Sequence, residues 1–147
     1  VVIIGLDMFL NKKRYIGYDE RIKLKITGIK GIDTKKVNEI SEMCIEWRKS
    51  NAIHKWFVDN VQDGEDDCGE YYVEHEKLTE LLKLILGAIA NKDKADEILP
   101  TQSGFFFGGA EYDEYYWNDL IRTTKELAVI LNDKNNECWS FYYQSSW

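Results

Sequence analysis

The sequence predicts an α+β fold, with an antiparallel or mixed sheet of about five strands and three helices in one domain over residues 1–147. Three observations carry this. RIKLKITGI (21–29) alternates strictly, with Ile22, Leu24 and Ile26 opposite Lys23, Lys25 and Thr27, the pattern of a half-buried strand. Two later stretches change to spacings of three and four, the helical period. Strands and helices mix without a βαβ rhythm or dinucleotide-binding glycines, which removes the doubly wound alternatives.

IIGLDMF is a short apolar strand, and NKKRYIGYDE has the turn chemistry to close a hairpin onto 21–29. From Asp33 or Thr34, both able to cap a helix, Val37, Ile40, Cys44, Trp47, Asn51, His54 and Val58 form one stripe. That stripe predicts a single long helix over about 34–60. DGEDDCGE breaks it, and CGEYYVE reads as a strand. LTELLKLILGAIANK (78–92) predicts an apolar helix. FFF (105–107) reads as a buried strand, about 112–132 as a third helix, and WSFYYQS (139–145) as a final strand.

Composition bounds the rest. The chain is 44% apolar and 31% charged, which argues against disorder. No apolar run approaches the ~20 residues that a membrane helix needs, so no membrane partner is expected. The opening VVIIG is too short, and lacks the basic start, for a secretory signal. Cys44, Cys68 and Cys138 are odd in number and widely spaced, which points to a reducing cytosol.

Net charge is −7, unevenly spread. Residues 1–36 hold nine Lys/Arg and four Asp/Glu; the other 111 hold ten and 22. The acidic part disfavours nucleic acid. The basic KKR (12–14) and KLK (23–25) fit a charged edge strand and hairpin better than a phosphate site.

Ser50 to Glu76 concentrates reactive residues: both histidines, Cys68 and a run of acids. As a calcium loop from Asp59 it supplies Asp59, Asp63, Gly64, Asp67 and Glu70, but Val61 fails the third ligand position. As a zinc site, His54, Cys68 and His75 match no compact module. No metal and no cofactor are therefore expected. A Cys68 nucleophile suffers from its carboxylate neighbours, which disfavour the thiolate. Asp66 or Asp67 acting through water with His54, with or without a metal, remains the hydrolase alternative. Asn51 and His54 interrupt an apolar stripe, so both must find polar partners. Arg48, Lys49 and Lys55 lie off that stripe and read as solvated. LPTQSGFFFGGAEYDEYYW (99–117) sets Gln102, Ser103 and Gly104 beside Tyr112 and other aromatics, a mixture that suits a planar ligand.

GLDMFL, WRKSNAIHKWFVDNVQDGEDDCGEYYV, LPTQSGFFFGGAEYDEYYW and FYYQSSW together resemble a family of small uncharacterised bacteriophage and prophage proteins. The likeness spans most of the chain except 11–36 and roughly 83–98, and transfers no catalytic set. It implies phage origin, the bacterial host cytoplasm, and by analogy action on host machinery or host defence. The expected function is a non-enzymatic accessory protein that binds a host protein or a small nucleotide-like ligand. Its expected pocket joins Asn51 and His54, Asp66, Asp67 and Cys68 with Gly69, and Gln102, Ser103 and Gly104, with Tyr112 nearby. An acidic DNA mimic is a weaker reading, because the first 36 residues are basic.

Overall fold

In the computed structural model, residues 5–104 and 106–147 are described. Four strands, β1 (Asp7–Tyr15), β2 (Glu39–Arg48), β3 (Glu70–Val73) and β4 (Ser140–Ser146), form an antiparallel sheet in the order β2-β1-β4-β3. Among the described residues there are five α-helices, α1 (Tyr18–Arg21), α2 (Asn51–Asn60), α3 (His75–Ala90), α4 (Ala95–Ile98) and α5 (Glu114–Asn132), with α1 and α4 only one turn long. The architecture is α+β, with four strands rather than about five and two short helices beyond the three long ones.

Alternation along the strands decides which face is buried. Met8 and Leu10, Ile45 and Trp47, Val73, Phe141 and Tyr143 all point into one core. Helices α2, α3 and α5 cover that face. Phe57 of α2 stacks on Tyr143 with ring centres 3.9 Å apart, and the Trp47 indole donates to Thr123 Oγ1 of α5 at 2.8 Å. On the opposite face Lys13 lies over the Tyr142 ring, in half-exposed surroundings.

The long helix expected over 34–60 is corrected to a strand followed by a helix. Residues 39–48 pair with β1 from Tyr15↔Glu39 to Asp7↔Arg48, with a bulge at Cys44. Ile40, Cys44 and Trp47 happen to satisfy a three-four spacing, yet Ile45 and Trp47 are buried while Glu46 and Arg48 are exposed, the strand period. The β1 ladder supplies nine residues of β2 with partners that an isolated helix face could not match, so pairing overrode the apparent period.

The strand expected over 21–29 is absent, and no tight hairpin forms. Residues 16–38 make a long excursion between two paired strands, held at its neck by Ile16 N donating to Asn38 O at 2.9 Å. Of the expected FFF strand, Phe105 lies outside the described residues. Phe106 and Phe107 sit in a turn closed by Phe107 N donating to Gly104 O. The strand expected over IIGLDMF is displaced: it runs Asp7–Tyr15, so NKKRY is strand and not hairpin turn, while residues 3–4 lie outside the described residues. The β3, α3, α5 and β4 boundaries fall within three residues of expectation.

Candidate functional site

Helix α2 positions the site. Its head follows β2 after a sharp corner at Lys49, whose φ of 55° is unusual for a residue with a side chain. The corner is pinned by Lys49 N donating to Leu6 O at 2.7 Å. Gly108 packs against the Lys49 stem; with φ of +78°, and a Cβ there only 3.2 Å from Lys49 Cβ, glycine suits the position. Helix α2 ends where Asp63 and Gly64 enter the left-handed region and Gly64 N returns to Val58 O.

Asn51, at the first turn of α2, uses its whole amide. Nδ2 donates to Phe107 O at 2.9 Å and to Gly109 O at 2.8 Å, and Oδ1 accepts from Gln102 N at 3.0 Å. One side chain thus clamps the 102–109 loop onto the helix.

One turn later His54 is fully buried. Its Nε2 lies 3.0 Å from Asp66 Oδ2 and its Nδ1 lies 2.6 Å from the Tyr143 hydroxyl. A carboxylate only accepts, so the ring proton belongs on Nε2 and Nδ1 accepts from the phenol. Burial, and then the Asp66 charge, push the Tyr143 phenol well above its ordinary value, which keeps it a donor. Trp147 Nε1 donates to Asp66 Oδ1 at 3.0 Å, and Phe107 meets the imidazole edge-on.

The three remote segments therefore converge, but around the imidazole they do so as a packed network and not as a hollow. Both ring nitrogens are engaged and no face of the ring meets solvent, so no substrate reaches His54 in this arrangement. Asp67 does not join it: its carboxylate accepts from Gly69 N at 2.9 Å and from the Tyr71 hydroxyl. Those bonds, the Gly69 amide foremost, lower its pKa, while Asp67 raises the Tyr71 phenol to about 12. Cys68 has φ of 59° and its carbonyl accepts from Gln144 Nε2. Gln102 binds through its backbone, and its Oε1 has no partner among the described residues. Ser103 and Gly104 are exposed. Tyr112 packs edge-on against Tyr116, its hydroxyl accepting from Thr101 N at 3.2 Å. His75 lies away on α3, bonded to Trp139 O.

The concave surface lies on the other side of Asn51. A cavity of about 470 Å³ opens between the head of α2, the head of α5 and the 108–113 loop. Arg48, Lys49, Asn51, Tyr115, Tyr116 and Asp119 are among its walls. Tyr115 is 82% exposed at its edge. Burial raises the Asp119 carboxyl, against the lowering influence of Arg122 and of a hydrogen bond from Ser50. Helix α2 has no side-chain cap, and the half-buried Asp119 lines the same cavity as its positive end.

Of the expected site residues only Asn51 lines this cavity. Arg48, Lys49, Tyr115 and Asp119 were missed; the sequence offered only their closeness to Asn51 and to the aromatic run. Among the described residues no cluster of three or more His, Cys, Asp or Glu is placed to hold a metal, and no helix is long and apolar enough to cross a membrane. Comparison with protein-family models, with curated proteins and with solved structures gives no match.

Proposed function

We propose that this chain is a non-enzymatic bacteriophage accessory protein that binds a small nucleotide-like ligand at the head of α2, in the service of countering host defence. The phage origin rests on the resemblance of four segments. The binding reading rests on one observation: the cavity of about 470 Å³, of a size that suits a small molecule. Tyr115 offers a flat face for stacking, Thr101 and Asn118 offer neutral hydrogen-bonding groups, and Arg48 and Lys49 offer two cations.

Glu111, Asp113 and Asp119 share the lining and oppose a large negative charge. The preferred ligand is therefore a nucleoside or mononucleotide and not a triphosphate. Titration calorimetry against a panel of nucleosides, mononucleotides and triphosphates tests this. Saturable binding of the first two classes, weakened by Tyr115→Ala, is the expected result. If the whole panel is silent the ligand reading fails, and recognition of a host protein through the same rim becomes the reading to test.

A further inference from the structure

The α5 wall of the cavity holds a carboxylate with bonding capacity to spare. Asp119 lines the hollow at the head of α2, its side chain 30% exposed. Ser50 donates one hydrogen bond to it. Its only ion-pair partner among the described residues is Arg122, whose Nη2 stands 3.9 Å from Oδ1, beyond hydrogen-bond reach. Arg122 Nη1 is spent elsewhere, donating to Glu126 Oε2 and to Glu46 O, both at 3.0 Å. Arg48 and Lys49 line the same cavity, yet neither is ion-paired with Asp119. A carboxylate accepts at about four lone-pair positions, so most of that capacity is unused. Burial has taken water from this group while the protein supplies few donors in its place, and its carboxyl is raised as a result.

Tyr115 stands four residues before Asp119 on α5. That spacing brings side chains together on one helix face, with Cβ atoms about 5–6 Å apart. Tyr115 also lines the cavity and is 82% exposed, and among the described residues no other ring packs on it. A free aromatic face with an underbonded carboxylate one turn away sets two demands on a guest. It must be flat, and its edge must carry two adjacent donors to meet a group that only accepts. Of the common nucleobases only guanine has such an edge, N1–H beside the 2-amino group. Adenine and cytosine set one donor beside a ring-nitrogen acceptor, and uracil flanks its single N–H with two carbonyls. Each of these would turn a lone pair toward the carboxylate. A ribose diol also offers two adjacent donors, but the flat tyrosine one turn away favours a planar edge.

We infer that the ligand of this cavity is a guanine nucleoside or mononucleotide, with Tyr115 stacking on the base and Asp119 accepting from N1–H and the 2-amino group. The inference rests on the nucleotide reading proposed above and adds the identity of the base. Tyr115 serves any base, because every base has a stacking face; Asp119 serves guanine alone and determines specificity. Arg48 and Lys49, at the β2–α2 corner, are left for the sugar or a single phosphate.

Titration calorimetry with the 5′-monophosphates of guanosine, 2′-deoxyguanosine, inosine and adenosine tests it on the wild type, Asp119→Asn and Tyr115→Ala. The wild type should bind both guanine nucleotides about tenfold or more tightly than the adenine nucleotide. The inosine nucleotide, which keeps one of the two donors, should fall between them. Asp119→Asn offers one acceptor and one donor, so it should lose about tenfold for guanine and gain for adenine, which a carboxamide matches. Tyr115→Ala should weaken all four by a similar factor. A change of preference at Asp119 is a readout that a merely structural role would not move. Equal binding of all four by the wild type overturns the inference and leaves the nucleotide reading standing. So does an Asp119→Asn protein with unchanged preference. Loss of binding on removal of the 2′-hydroxyl, whatever the base, would assign the carboxylate to the sugar and overturn it too. Silence toward all four removes both readings.

Discussion

Two successive turns of α2 meet opposite surroundings. At His54 every polar atom is paired and water is excluded; one turn earlier, at Ser50 and Asn51, the same helix opens onto a hollow with charged walls. Both turns hold buried polar residues, yet only one leaves room for a guest. Buried polarity marks where a fold is specified; an unfilled volume beside it marks where a ligand can enter.

The fully bonded side chains His54 and Asn51 should be the more costly to disturb. His54→Ala leaves the Asp66 carboxylate and the Tyr143 hydroxyl without their partner and opens a void, so a loss of about 4 kcal/mol is expected in urea denaturation. A loss below about 1 kcal/mol would remove the contrast, since buried unpaired groups cannot be that inexpensive. Asn51→Asp keeps the shape but turns a double donor against the carbonyls of Phe107 and Gly109 into an acceptor. About 3 kcal/mol should be lost, with faster amide exchange around Gln102.

On the outer walls of the hollow the effects are smaller and depend on conditions. The Asp119 carboxyl is raised in the folded protein from its ordinary value of 3.8, chiefly by burial. Its charged form therefore opposes folding. That cost is absent below 3.8, grows as pH rises through the interval up to the folded value, and is constant above it. Asp119→Asn should gain stability relative to wild type across that rise, seen by following the thermal midpoint against pH; a parallel pair of curves would refute it. Smallest of all for stability, Tyr115→Ala should change folding by under about 0.5 kcal/mol. The same change should lower nucleoside affinity about tenfold. A large loss of stability there would mean that Tyr115 is part of the packing and not of a binding wall.

The reading of the sequence succeeded where one signal dominates. Helix α3 was plain because Leu78, Leu81 and Ile85 recur at helical spacing and are buried, although Leu86, expected on the same face, is 47% exposed. Strand β2 was not, because Ile40, Cys44 and Trp47 fit the helical period by coincidence while the deciding interaction, pairing with β1, is remote in sequence. At the site, the demand of Asn51 and His54 for partners was readable from their place on an apolar stripe. The identity of those partners was only partly so. Asp66 and the 102–104 loop were expected close by, whereas Tyr143, 89 residues from His54, carried no local mark. The hollow itself is a property of how α5 meets α2, and no short-range pattern encodes such an encounter.

Strand β4 stands in the middle of the sheet, between β1 and β3, although it follows them both in the chain. On the ribosome, β1 and β2 can zip together early, but one flank of β1 stays open until residues 140–146 emerge. The Tyr143 hydroxyl that completes the bonding of His54 arrives in that same segment. Folding is thus delayed until translation has passed this strand, and a ribosome stalled before it would display a sticky, half-built sheet for cellular quality control to recognise.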